Sequence, residues 1–225
     1  MIIDNTYFVN EIFIPHAKPS ITDDVVAVPQ DITSFIDTYS VECLSLCLGF
    51  ALFKEFSEQL AKEQENGLKA TADEKWDKLL NGTEYTLLNG ELAYWKGIRS
   101  KTGEVYNKSF LADYVYYFYE KNDDDNRVGI GNVKQSGKNV VLVSKAPKVI
   151  AAWRRFSKAV QGDSSFPSIY TMQSFIENVC GLGIDWMQQE EISLYKFIND
   201  TNTNTPDTYK NFKPFVFTNA NQFGL

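Results

Sequence analysis

Apolar positions between residues 109 and 121 recur so densely that they leave almost no polar side. In Ser109-Phe-Leu-Ala-Asp-Tyr-Val-Tyr-Tyr-Phe-Tyr-Glu-Lys121, a helical period gathers Phe110, Leu111, Tyr114, Val115 and Phe118 on one broad face. Tyr116, Tyr117 and Tyr119 fall largely outside that face, so the helix is aromatic nearly all the way round. Such a helix needs cover on more than one side. It is either the central helix of a bundle, or its second face meets another chain.

The same period appears elsewhere. After Pro29, with Asp31 or Thr33 as N-cap, Phe35, Ile36, Tyr39, Cys43, Leu46 and Cys47 repeat at spacings of three and four. Gly49 breaks the pattern, which resumes through Phe50, Leu52, Phe53, Phe56 and Leu60 and fades in the polar run 62–67; this predicts a helical hairpin, favoured over one long kinked helix. Residues 72–80 form a short helix with Trp76, Leu79 and Leu80 on one side and Asn81-Gly82 at its end. Residues 145–160 form another, with Pro147 in the first turn, a stripe of Val149, Ile150, Trp153, Phe156 and Val160, and Gly162 behind it. Its Lys148, Arg154, Arg155 and Lys158 make the best candidate set for contacting an acidic partner, although an ordinary solvated helix surface is the favoured account of them. Two more helical stretches cover 169–180 and 184–198, separated by Gly181-Leu-Gly183.

Extended segments are few. Glu84 to Trp95 carries Asn89-Gly90 between short apolar runs, the signal of a two-residue type I′ hairpin. Residues 128–133 and 139–143 read as two strands around Gly137. Residues 7–14 can pair as a strand or lie extended on a neighbour, and Pro15, Pro19 and Pro29 forbid a long helix through that leader. Residues 199–206 read as a polar linker, followed by Phe212, Phe215, Val216, Phe217 and Phe223. The expected fold is mainly α: a helical bundle with a small β-hairpin element and extended N- and C-terminal arms. It divides into a 1–30 arm, a 31–200 helical domain with inserted hairpin segments, and a 201–225 extension.

Composition narrows the chemistry. With 225 residues, 44% hydrophobic and 23% charged, the chain has a globular profile. A formal charge of −7 with scattered Lys and Arg disfavours nucleic-acid binding as its main task. No run approaches the roughly 20 apolar residues of a membrane helix, and Asp4 comes too early for a signal peptide, which places the chain in cytosol-like solvent. Cys43, Cys47 and Cys180 read as buried thiols, since one histidine and no second cysteine pair make a poor metal site. His16 stands between prolines, away from any carboxylate cluster. The acidic run 122–126 lacks the spaced ligands of a calcium loop, and Gly129-x-Gly131 lacks the rest of a dinucleotide fingerprint. Adjacent Glu190 and Glu191 face different ways on a helix. No catalytic, cofactor or metal residues are assigned. The expected interface residues are Tyr116 and Tyr119, off the main stripe, with Phe215 and Phe217 of the aromatic tail.

Beyond this chemistry, the order of motifs resembles a family. The leader is followed by Phe35-Ile-Asp-Thr-Tyr39, Leu48-Gly-Phe-Ala-Leu-Phe-Lys-Glu-Phe56, Trp76-Asp-Lys-Leu-Leu-Asn-Gly82, Trp95-Lys-Gly-Ile98, the tyrosine-rich 111–120 helix, a Val-Lys segment and the Trp153 helix. Over residues 1–160 this is similar to the head–tail adaptor (connector, head completion) proteins of tailed phages of Bacteroidetes hosts. The resemblance implies a structural virion protein without enzymatic activity or cofactor, forming a homo-oligomeric ring, expected to be a dodecamer. The ring would join the portal protein to the next neck or tail protein, in host cytoplasm during assembly and then in the virion neck. DNA would pass without sequence-specific contact, and no membrane would be involved. Another phage component, such as a tail-completion or minor capsid protein, is the alternative; a small cytoplasmic enzyme is a third.

Overall fold

The glycines and small polar residues that interrupt the helical period are where the elements end. The computed structural model describes residues 2–14, 32–66, 74–87, 90, 92–99, 107–122, 126–128, 131–133, 146–162 and 192–217. Among them the chain is mainly helical: α1 Ile32–Leu48, α2 Phe50–Asn66, α3 Glu74–Asn81, α4 Phe110–Asn122, α5 Ala146–Gln161 and α6 Leu194–Asn204. Two small antiparallel sheets accompany them, β1 Thr83–Thr86 with β2 Leu92–Trp95, and β3 Asn126–Val128 with β4 Gly131–Val133. His16, Cys180, Glu190, Glu191, the 139–143 strand and the 169–180 helix lie outside the described residues.

Two compact units divide the chain, one of residues 1–43, 104–156 and 218–225, the other of 44–103 and 157–217. In the first, α4 begins where Ser109 turns its hydroxyl to the N–H of Leu111. Its aromatic residues pack internally. Tyr114 and Tyr117 lie against Trp153 with centroids 6.1 and 4.7 Å apart, and Phe110 and Tyr114 reach Phe156. On another side, Phe118 stacks on Tyr39 at 4.6 Å and Tyr119 meets Phe35 edge-on at 5.4 Å. Tyr114 donates to Glu42, and Asn122 donates to Tyr39, so the phenol oxygens of Tyr114 and Tyr39 are partnered.

The leader does not form the strand that residues 7–14 suggest. Asn5–Tyr7 and Asn10–Ile12 are 3-10 turns. Asp4 caps the first through the N–H of Thr6, and Asn10 takes a positive φ of 56°, a conformation asparagine tolerates. Coiling in this way pairs backbone groups locally and buries Ile3, Tyr7, Phe8 and Ile14.

In the second unit a single residue, Gly49, separates α1 from α2. Antiparallel helical hairpins need about two to five connecting residues. The expected hairpin is therefore replaced by a break, with Gly49 at φ +80°. Glycine is required here twice over, since a Cβ would also lie 2.5 Å from the Lys213 carbonyl oxygen. The β1–β2 ladder runs from Thr83 opposite Trp95 to Thr86 opposite Leu92. That register is one residue out of phase with a two-residue Asn89-Gly90 turn, although Gly90 does take the positive φ. Packing of Trp95 accounts for the shift: its indole N–H donates to Leu79 O and its ring stacks on Phe197 at 5.4 Å. Ile98 and Arg99 cap the last carbonyls of α3 at Leu79 and Leu80.

Two further readings are corrected. Residues 126–128 and 131–133 pair with each other instead of forming one strand. Residues 199–204 belong to α6, not to a linker. Thr201 and Thr203 return their hydroxyls to the carbonyls of Phe197 and Asn199, while Asp200 takes a 2.9 Å ion pair from Lys196 and a hydrogen bond from Tyr85.

Candidate functional site

Of the expected interface residues, the structure brings only one to the surface. Tyr116 and Tyr119 are buried within the chain itself, at 3% and 9% exposure, so the reading of a second α4 face left for another subunit is corrected. The physical reason is visible for Tyr119: Phe35 of α1 already covers it. Phe217 is buried as well, whereas Phe215 is 56% exposed.

The segment that carries Phe215 is built into the second unit at many points. Residues 206–211 turn after α6, with Asp207 at φ 69°, and 212–217 run on as a strap without regular secondary structure. Tyr209 is the deep anchor: it is 1% exposed, lies against Trp76 and Phe197, and donates its hydroxyl to Lys75 O at 2.6 Å. The Asn202 amide holds Tyr209 at both its N–H and its C=O. Asn211 donates to Glu55, and Lys75 donates to Thr208 O. Lys213 and Phe215 then give their N–H groups to Leu48 O and Leu46 O, two carbonyls of the last turn of α1 that no further helical turn can satisfy. Tyr195 donates to Phe215 O, and the Gln161 amide closes both backbone groups of Phe217 at 2.8 and 3.0 Å. The aromatic extension therefore docks on its own body through residue 217.

This docking leaves an apolar rim. Phe215 and Val216 are exposed, and so is Phe50, which directly follows Gly49 where Lys213 makes its closest approach. Leu92 is a further exposed apolar residue of this unit; Phe13 and Val41 are exposed in the first.

A polar cluster in the first unit answers the expectation of a basic face on α5. Arg155 places Nε and Nη2 on Asp113 Oδ1 at 2.9 and 2.8 Å and Nη1 on Glu11 at 2.7 Å. Its acidic partners thus come from α4 and the leader of the same chain, while Lys148, Arg154 and Lys158 stay exposed. Burial pushes the Asp113 carboxyl up to about 6, and the hydrogen bonds and charge of Arg155 offset only part of that. Nothing in spacing could have paired Arg155 with residues 42 and 144 positions away; an arginine beside a buried stripe is the one cue. Among the described residues no group of three or more His, Cys, Asp or Glu is placed to hold a metal ion, and no helix is long and apolar enough to cross a membrane. Cys43 and Cys47 are buried and form no disulfide.

Comparison with protein-family models, with curated proteins and with solved structures finds no match to this chain.

Proposed function

We propose that the chain is a structural subunit of a tailed-phage virion, a head–tail adaptor that assembles as a ring between the portal and the next neck or tail protein. The motif order over residues 1–160 supports the family, as does the mainly helical protomer. The observation that carries the reading is the rim of Phe50, Phe215 and Val216. Three large apolar side chains stay more than half exposed beside a segment otherwise fastened down by hydrogen bonds. Apolar residues scattered singly are ordinary surface, but a local group of them is what a contact between subunits needs. On this reading the ring contact runs along the rim and not over α4, and the terminal segment shapes the contact in place of reaching out as a free arm. DNA passes the ring without sequence-specific contact, and the virion neck is its location.

Native mass spectrometry of the chain, alone and with portal protein, tests this. A ring, or a defined complex with portal, is expected, and Phe50→Asp should prevent it while helicity stays unchanged. A chain that remains monomeric and ignores portal would retire the proposal.

A further inference from the structure

The strap offers more than exposed side chains. From Lys213 to Phe217 every second residue turns its backbone inward: the N–H groups of Lys213, Phe215 and Phe217 are bonded to Leu48, Leu46 and Gln161, and the C=O groups of Phe215 and Phe217 are bonded to Tyr195 and Gln161. This is the period of an extended strand, so Pro214 and Val216 point their backbone groups the opposite way. Among the described residues nothing pairs with the N–H or C=O of Val216 or with the C=O of Pro214. Residues 213–217 therefore alternate their backbone bonds as an extended segment does, although they belong to no sheet, with one side satisfied by the protein and the other open.

We infer that the open edge pairs with the same edge of a second copy, in antiparallel register about a two-fold axis through Phe215. The edge is complementary to itself. Each Val216 N–H meets the C=O of the partner's Pro214, so the residue without a donor is asked only to accept. Phe215 then faces the partner's Phe215 in the close, non-hydrogen-bonded position, where an aromatic pair is most effective. Val216, which is 72% exposed against 56% for Phe215, covers the partner's Pro214 on the other face. Lys213 falls opposite the partner's Phe217 and not opposite another lysine, so no like charges meet. A contact of this kind is isologous and closes at two copies, whereas a ring needs a head-to-tail contact. It goes beyond the adaptor reading: because Phe215 and Val216 cannot serve both contacts at once, the two-copy form is a state of the free chain that the ring displaces, and it can fail separately from the adaptor. Proline and lysine on an edge normally discourage pairing, and here they limit it to one register and two main-chain bonds, so the association is weak and reversible.

Sedimentation velocity on the full chain from about 1 to 500 μM covers the range expected of so small an interface. A monomer–dimer equilibrium is expected. Val216→Pro removes the one edge donor, and Phe215 before it is already extended, so the fold should survive with unchanged circular dichroism. That change should weaken the dimer at least tenfold. Phe215→Ala should weaken it too, and Pro214→Ala, which restores a donor to the edge, should tighten it several-fold. A wild-type chain monomeric throughout would overturn the inference, and so would any assembly that Val216→Pro and Pro214→Ala leave unchanged. Rings insensitive to both substitutions would remove the edge dimer and keep the adaptor; an edge dimer that never engages portal would do the reverse.

Discussion

Residues 2–14 are fastened to the first unit mainly by side chains, whereas residues 205–217 are fastened to the second mainly through their backbone. The leader settles much of its own main chain in two 3-10 turns, then inserts Ile3, Tyr7, Phe8 and Ile14 and adds polar ties through Asn107 to Thr6 and Arg155 to Glu11. The strap cannot satisfy itself, being extended past Asn211, and it borrows partners from α1, α5 and α6. The two ends therefore respond to different perturbations. A segment held by side chains is sensitive to volume and charge. A segment held by its backbone is sensitive to whatever positions its partners, and leaves its own side chains free to be exposed.

The largest effect tests where this division breaks down. Tyr209, in the turn before the strap, is the most deeply buried residue of 205–217, between Trp76 and Phe197, with its hydroxyl on Lys75 O. Tyr209→Ala should cost about 4 kcal/mol, the range of aromatic-to-alanine changes in a core. The urea midpoint should fall accordingly, and the amides of Lys213 and Phe215 should exchange with solvent far faster. If those amides keep their protection, the bonds to α1 hold the strap unaided, and its backbone alone fastens this end of the chain.

On the leader side the comparable test is titration. The folded pKa of Asp113, about 6, lies above its ordinary 3.8, because burial outweighs Arg155 while Glu11 adds a small upward push. A carboxyl raised in the fold contributes stability that is fully present below about 3.8 and is lost as pH rises through about 6. The rise from 3.8 to about 6 corresponds to something on the order of 3 kcal/mol. Asp113→Asn should remove this loss, so the wild-type and variant stability curves should diverge between pH 4 and 6 and run parallel above 7. Parallel curves throughout would mean the carboxylate is better solvated than its 15% exposure implies.

Local chemistry was legible and long-range chemistry was not. Gly49, Gly82 and Gly162 each mark a helix end with positive φ, and Ser109 caps α4, as their residue types suggest. The 199–204 stretch misled because asparagine and threonine are weak helix formers; hydroxyl bonds to preceding carbonyls and the Lys196–Asp200 pair hold it helical. The tyrosines of α4 misled for a different reason. Periodicity counts how many faces are apolar but not how many neighbours arrive, and α1 and α5 both arrive. At the strap, the aromatic pattern pointed to docking, but Phe215 and Phe217 are two apart, share a side of the extended segment and touch edge-on, so alternation does not separate them. Phe217 is covered where Gln161 holds it and Phe215 is not, and neither that anchor nor its place can be read from composition.

The smallest effect isolates that anchor. Gln161 reaches Phe217 with both ends of one amide, accepting from its N–H and donating to its C=O, and also donates to Ser157. Gln161→Ala removes the two backbone bonds to Phe217 and no large apolar surface, so the expected cost is about 1–2 kcal/mol. It should appear as faster exchange at the Phe217 amide, with Lys213 and Phe215 little changed, because their partners are the carbonyls of α1. Gln161→Glu separates the two halves of the clamp: the carboxylate still accepts from the Phe217 N–H but meets the Phe217 carbonyl with like partial charge. If the backbone governs this end of the chain, Gln161→Glu should be no better than alanine, even though it preserves size. Were glutamate to restore protection, the side chain's bulk would be what matters, and the strap would be held in the same way as the leader.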